Sequence, residues 1–110
     1  MLSRTADCLY WMARYTERAE NTARMLDVNY QTSLLPQPSE YRDQSWRKLL
    51  TISKLEPMFL SSYANLNQES ILRFMIDDAN NPSSIVSCLR AARENARAIR
   101  SEEHTSELQS

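Results

Sequence analysis

The sequence predicts an all-α protein, a truncated helical bundle, and three observations support this prediction. Apolar residues recur at spacings of three and four over long stretches, which is the period of an α-helix. The chain of 110 residues contains no glycine, although most β-hairpin turns use that residue because it accepts positive φ. The breaks between apolar stretches fall instead at proline, asparagine and serine, which end or cap helices.

The first predicted helix covers residues 3–34 and begins near Ser3 or Thr5, either of which can act as its N-cap. Prolines at positions 36 and 38 predict a loop over residues 35–39, because proline removes a backbone donor and disfavours helix in the residue before it. The residues expected to form the buried stripe of this helix are Leu2, Ala6, Leu9, Met12, Ala13, Ala19, Ala23, Leu26 and Tyr30.

The middle of the chain predicts three shorter helices. The first covers residues 40–53, has Ser39 as its cap, and buries Trp46, Leu49, Leu50 and Ile52. Pro57 is expected in the first turn of a short helix that ends near residue 63. Asn67 is expected to cap a helix over residues 68–76, whose buried positions are Ile71, Leu72, Phe74 and Met75.

The last predicted helix covers residues 82–100 and follows a turn over residues 77–80. Asn81 is expected as its N-cap, with Pro82 in the first helical position. Its apolar stripe has alternating spacings of four and three and consists of Ile85, Leu89, Ala92, Ala96 and Ile99.

Composition excludes several classes of function. The net charge of −1 provides no broad basic field for nucleic acid, and the lack of glycine argues against phosphate-binding loops and dinucleotide folds. No apolar run is long enough to span a membrane, and no signal peptide is visible, so a cytoplasmic location is expected. Cys8 and Cys88 are expected to be small buried apolar residues and not a disulfide pair.

The last eleven residues are expected to be a non-native tail. Residues 100–110 read RSEEHTSELQS, which resembles the in-frame translation of a common sequencing-library adapter. The natural domain is therefore predicted to cover residues 1–99. The single histidine, His104, lies in this tail, so the natural part offers no histidine for metal ligation, and no metal or cofactor is expected.

A polar motif interrupts the predicted stripe of the first helix. Glu20 falls inside the stripe, Arg24 follows four residues later in the favourable order for an ion pair, and Glu17 borders the same line. Because an unpaired buried charge is costly, Glu20 is expected to be buried and paired with Arg24. Three interpretations remain open: a structural ion-pair network, an acidic cluster that binds a cation or a substrate amine, and an interface with a partner.

Two further patterns concern arginines. The spacing of Trp11, Tyr15 and Arg18 predicts an arginine stacked on an aromatic ring. In the last helix, Glu94 points away from the apolar stripe and has Arg90, Arg93 and Arg97 at pairing distances, which favours a solvated charged face or a second functional face.

Two segments resemble the alpha-E domain family, an all-helical family with a Glu-Arg motif, and the resemblance extends over about residues 1–99. The segments are ADCLYWMARYTERAEN at residues 6–21 and NPSSIVSCLRAARENAR at residues 81–97. The resemblance implies that the motif lies on Glu17 and Arg18, and that a second polar set lies on Arg93, Glu94 and Asn95. The candidate site residues are therefore Glu17, Arg18, Glu20, Asn21, Arg24, Arg93, Glu94 and Asn95.

The resemblance also implies a functional context. Family members are bacterial and are encoded beside ATP-grasp ligase-like and transglutaminase-like proteins, which implies a non-catalytic partner in a peptide-ligation or amide-modifying system. Two alternatives remain: an enzyme that uses Glu17, Arg18, Glu20 and Arg24 as a charge-polarising site, and a purely structural bundle. No catalytic residue is assigned, and self-association remains open.

Overall fold

A computed structural model describes the backbone of residues 2–109 and the side chains of residues 3–101. That backbone forms five α-helices and one π-helical segment, and it contains no strand, so the all-α prediction is confirmed. The elements are α1 (Leu2–Ser33), α2 (Ser39–Ile52), α3 (Glu56–Ser62), α4 (Gln68–Leu72), the π-helical segment Arg73–Asp77, and α5 (Ile85–Gln109).

The two long helices, α1 and α5, pack antiparallel along one another. Ile85, the first residue of α5, packs against the core cluster that contains Leu26 of α1. One turn further along α5, burial raises the pKa of the Cys88 thiol, and the nearby positive charge of Arg18 opposes that shift. Later residues of α5 therefore lie beside earlier residues of α1, so the two helices run antiparallel and form a long hairpin. The molecule measures 66 × 27 × 18 Å.

The buried edge of α1 differs from the predicted stripe. Ala19 and Leu26 are buried as expected and Met12 is half-buried, but Leu9 and Tyr30 are exposed, as are Ala6, Ala13 and Ala23. Apart from Met25, which packs against the core, the buried and half-buried positions alternate at spacings of three and four, the heptad pattern of a helix pair. They are Thr5, Cys8, Met12, Tyr15, Ala19, Thr22, Leu26, Asn29 and Ser33. The prediction was wrong because small and polar side chains occupy this edge, where two helices approach closely. The side chain of Leu2 lies outside the described residues.

The matching edge of α5 also contains small residues. Cys88 and Ala92 are buried there, whereas Leu89, which was predicted to be buried, is 50% exposed. The other predicted positions are half-buried, namely Ile85, Ala96 and Ile99. Cys8 and Cys88 are both free thiols; Cys88 is buried as predicted, whereas Cys8 is only half-buried. The backbone of α5 continues to Gln109, but the side chains of residues 102–110, His104 included, lie outside the described residues, so the non-native tail stays a prediction.

The hydrophobic core lies at one end of the hairpin, where α2, α3, α4 and the π-helical segment cover the C-terminal half of α1. Its buried members are Leu26, Trp46, Leu49, Leu50, Phe59, Ile71, Phe74 and Met75. Most of these residues were predicted, and Leu72 packs against them partly buried. Ile52, by contrast, is 67% exposed, because it lies on the side of α2 that faces away from the cluster.

The end of α2 shows how the chain turns without glycine. Lys54 adopts a left-handed φ of 62°, its N–H donates to the Thr51 carbonyl, and the Leu55 N–H donates to the Leu50 carbonyl. These two bonds form a Schellman cap. A residue with a Cβ in this conformation costs about 1–2 kcal/mol, which the cap hydrogen bonds and the packing of Leu55 against the core offset.

One predicted cap and one predicted first-turn proline are confirmed, whereas the caps predicted for α1 and α2 are wrong. Pro57 lies in the first turn of α3, and Asn67 forms a capping box with Ser70 at the start of α4. Ser39 is instead the first residue of α2, preceded by Pro38 without a side-chain cap. Helix α1 begins at Leu2, so Ser3 and Thr5 lie inside it.

The start of α5 also differs from the prediction. Asn81 is buried, and its Nδ2 donates to the carbonyl of Phe74 at 3.0 Å while its Oδ1 accepts from the Ser83 N–H at 3.0 Å. The helix begins at Ile85, and Ser84 caps it by accepting from the Ser87 N–H at 3.2 Å. Asn81 therefore fixes the loop against the π-helical segment, a role that its local sequence does not reveal.

We expect Asn81→Ala to lower the free energy of unfolding by about 1–3 kcal/mol, because it leaves buried backbone groups without partners. Asn80 is an exposed neighbour of the same type, so Asn80→Ala is the matched control and should change stability by less than about 0.5 kcal/mol. Urea unfolding followed by circular dichroism measures both. Equal effects of the two substitutions would contradict this role of Asn81.

The Tyr63 hydroxyl gives an expected pH dependence. It donates to Asp78 Oδ2 at 3.0 Å, and burial, followed by this hydrogen bond and the charge of Asp78, raises the pKa of Tyr63. A group whose pKa is raised on folding contributes stability that is full below the unfolded-state pKa of about 10 and is lost as the pH rises through the folded-state value.

We therefore expect wild-type stability, measured by urea unfolding, to fall more steeply than that of Tyr63→Phe as the pH rises above about 10. At neutral pH, Tyr63→Phe should cost about 0.5–1.5 kcal/mol through the lost hydrogen bond. Tyr41 is 61% exposed, so Tyr41→Phe should follow the wild-type profile. Parallel profiles for wild type and Tyr63→Phe would refute the assignment.

Candidate functional site

The middle of α1 forms one wall of an open cavity of about 290 Å³, called the motif cavity below. The opposite wall comes from the segment after α2, from the π-helical segment and from the loop before α5. The lining residues are Arg14, Glu17, Arg18, Asn21, Thr22, Met25, Ser53, Leu55, Met75 and Ser83.

Two arginines at the motif cavity have different partners. Arg14 Nη1 lies 3.2 Å from Glu17 Oε2, and this pair is well exposed, so it contributes at most about 1 kcal/mol. The guanidinium of Arg18 stacks on the Tyr15 ring, 5.7 Å from its centroid, as the spacing predicted. Within residues 3–101, no carboxylate lies within ion-pair distance of Arg18, so its positive charge is available to a ligand.

The Tyr15 ring is itself held in place by its neighbours. Trp11 packs against it with ring centroids 5.9 Å apart, and Tyr15 is half-buried in the edge where α1 meets α5. Because the ring is fixed, the guanidinium stacked on it is restricted to fewer orientations than a free surface arginine has.

The remaining groups at the motif cavity are neutral and polar above an apolar base. The side chains of Asn21 and Ser83 make no hydrogen bond to any described residue, so both can bind a ligand. The Ser53 hydroxyl already donates to the Leu49 carbonyl at 2.8 Å and keeps its acceptor capacity. A guanidinium beside an amide and hydroxyls is a donor set that suits a carboxylate, and the Glu17 carboxylate can accept from an amine.

The structure brings together only part of the predicted set. Glu17, Arg18 and Asn21 share the motif cavity, whereas Arg24 lines a neighbouring groove between α1 and α2. Arg93 and Glu94 are exposed on α5, where Glu94 pairs with Arg97 at 3.4 Å, so this is a solvated charged face. Asn95 lies on the edge of α5 that packs against α1, and its Nδ2 donates to the Ala91 carbonyl at 2.9 Å.

Glu20 is exposed, which contradicts the prediction that it is a buried carboxylate. No ion pair joins it to Arg24 among the residues that the structure describes, and it lines neither the motif cavity nor the groove. The reason is rotational: the buried edge of α1 lies on the side of Ala19 and Thr22, so the line through Leu9, Ala13 and Glu20 faces solvent.

A family model for a predicted alpha-helical domain with a conserved ER motif, named Alpha-E, matches residues 1–108. The chain belongs to the Alpha-E family. The sequence contains a single Glu-Arg dipeptide, Glu17–Arg18, so the motif that the Alpha-E description names is expected there, on the wall of the motif cavity. No curated protein and no solved structure shows a significant match to the chain.

Sequence reasoning missed several residues that line the motif cavity of this Alpha-E chain. Arg14 had a usable signal, since it precedes Glu17 by three residues on the same helix. Ser53, Met75 and Ser83 had none, because they come from segments far apart in the chain that meet only when the core forms.

Within residues 3–101, no group of three acidic, cysteine or histidine residues could hold a metal ion. In the same part of the chain, no helix is long and apolar enough for a membrane span.

Because Glu20 is exposed, we expect Glu20→Ala to lower stability by no more than about 0.5 kcal/mol. Leu26→Ala is the contrasting control on the same helix, since it opens a cavity in the core and should cost about 2–5 kcal/mol. Thermal melts of the two variants measure the difference. A loss of several kcal/mol of unfolding free energy in Glu20→Ala would instead support the buried Glu20–Arg24 ion pair that the sequence predicted.

Proposed function

We propose that this Alpha-E chain is a non-catalytic helical partner in a bacterial, cytoplasmic peptide-ligation or amide-modifying system that includes ATP-grasp ligase-like and transglutaminase-like proteins. The observation that carries the proposal is the motif cavity, where the Arg18 guanidinium is fixed on Tyr15 and is not consumed by an ion pair. The genomic context that the family resemblance implies supplies the class of partner.

The chemistry of such a system suits the donor set of the motif cavity. Peptide ligation and amide modification act on carboxylates, amines and amides, and arginine binds carboxylates through two parallel hydrogen bonds. Arg18 and Asn21 can bind a carboxylate of the partner or of its peptide, while Glu17 lies beside them as an acceptor for an amine. The cavity is open to solvent, so an extended chain end can reach these groups.

The arrangement favours a binding role over the charge-polarising enzyme. That alternative requires Glu17, Glu20, Arg18 and Arg24 around one cavity, and only Glu17 and Arg18 line the motif cavity. The carboxylate of Glu17 is 59% exposed and paired with Arg14, so it remains well hydrated. A hydrated, paired carboxylate is a recognition group, whereas a catalytic carboxylate is commonly desolvated to tune its pKa.

Co-expression of the tagged chain with the ATP-grasp ligase-like and transglutaminase-like proteins expected from neighbouring genes tests the proposal. We expect at least one of them to co-purify, and we expect Arg18→Ala to weaken that complex by about tenfold, or ~1.4 kcal/mol. Arg18→Lys should recover only part of the affinity, because an ammonium lacks the planar two-donor geometry.

The matched control is Arg97→Ala, which removes an exposed arginine that pairs with Glu94 on α5, away from the motif cavity. Circular dichroism shows whether each variant keeps its helices. Failure of both proteins to co-purify would refute the proposed system. A complex equally sensitive to the Arg18 and Arg97 substitutions would refute the role of the motif cavity.

A further inference from the structure

A second cavity lies between α1 and α2 and differs in character from the motif cavity. It is an open groove of about 390 Å³, called the interhelical groove below, lined by Asn21, Arg24, Met25, Val28, Asn29, Ser45, Lys48, Leu49 and Ile52. Its walls are mainly apolar, and two of its wall residues are unusually exposed for aliphatic side chains, Val28 at 60% and Ile52 at 67%.

One buried polar atom in the interhelical groove lacks a partner. The Ser45 hydroxyl donates to Asn29 Oδ1 at 2.7 Å, which fixes the plane of the amide. Asn29 Nδ2 is then buried without any hydrogen-bond partner. A buried donor left unpaired is energetically unfavourable, so a ligand that brings an acceptor to this position gains binding free energy from the new hydrogen bond.

The charges of the interhelical groove all have one sign. Arg24 from α1 and Lys48 from α2 flank it, and none of the lining residues is acidic. Among the described residues, neither cation lies within ion-pair distance of a carboxylate. The net charge of the whole chain is −1, so this local excess of positive charge is a property of the groove and not of the composition.

We propose that the interhelical groove is the docking site for an acidic amphipathic helix of a partner protein. The apolar side chains of that helix, repeated at spacings of three and four, pack against Val28 and Ile52. Its flanking carboxylates meet Arg24 and Lys48, and an acceptor oxygen on its buried face receives the Asn29 Nδ2–H bond. Charge complementarity selects an acidic partner over a basic one, because like charges across an interface are strongly unfavourable.

This docking site goes beyond the proposed function, because it depends on residues of α2 and on Asn29, which the motif cavity does not use. The two cavities adjoin at Asn21 and Met25, so one partner can occupy both. Their tests remain separate: Arg18 lines only the motif cavity, and Lys48 lines only the interhelical groove.

A fluorescein-labelled model peptide tests the site. The peptide carries leucine at helical spacings of three and four and glutamate on the remaining face, and a sister peptide carries lysine in place of each glutamate. Fluorescence anisotropy should show saturable binding of the glutamate peptide to the whole chain. We expect Arg24→Glu with Lys48→Glu to weaken it at least about tenfold and to create binding of the lysine peptide.

Lys54→Glu is the matched control, since Lys54 is an exposed lysine just beyond α2 and does not line the interhelical groove. It should leave the affinity for the glutamate peptide within about twofold. In nuclear magnetic resonance spectra, binding should shift the side-chain amide resonances of Asn29, and Asn29→Ala should remove those signals and weaken binding. Arg18→Ala should leave peptide binding intact.

Several results would overturn the proposal. Equal binding of the two peptides, or an affinity that charge reversal at Arg24 and Lys48 does not change, would exclude an acidic partner. Absence of saturable binding by the glutamate peptide would exclude the site. Sedimentation analysis that shows a dimer dissociated by Ile52→Asp would assign the groove to a second copy of the chain instead.

Discussion

The close antiparallel packing of α1 against α5 is the constraint on which the rest of the structure depends. The two helices meet along heptad positions where small residues such as Ala19, Cys88 and Ala92 are buried. This packing fixes the rotation of α1 about its own axis. It directs Glu17 and Arg18 toward the cavity beside the core, and it leaves Glu20 in solvent.

The core at one end of the hairpin holds the short helices against α1, and the two cavities lie between them and α1. Trp46, Phe59 and Phe74 hold the short helices against α1, and Asn81 ties the loop before α5 to the π-helical segment. The left-handed Lys54 turns the chain immediately after α2. Together these contacts bring Ser53, Met75 and Ser83 to the Glu-Arg pair, although the three lie far apart in the sequence.

The charges beside the core are distributed unevenly. Arg14 and Glu17 neutralise one another at the motif cavity, whereas Arg18 stacks on an aromatic ring without a carboxylate partner among the described residues. Arg24 and Lys48 likewise give the interhelical groove an excess of positive charge. Both cavities therefore present available cations beside apolar surface on the α1 side of a weakly acidic protein. The proposed recognition of carboxylate-bearing partners rests on these cations, which act at short range, where screening by salt is weakest.

The sequence by itself determined the helical class, most helix bounds, the core residues of α2 and α4, the Arg18–Tyr15 stacking and the position of the Glu-Arg pair. These features follow from periodicity, proline and short-range spacing, all of which are local. Only the tertiary structure decided which edge of α1 is buried, and hence that Glu20 is exposed and Leu89 faces solvent. The physical reason is that a helix with apolar residues on several faces has no single preferred rotation. The partner helix selects the edge that permits the closest approach, and small or polar residues such as Thr22 can form it better than larger apolar ones.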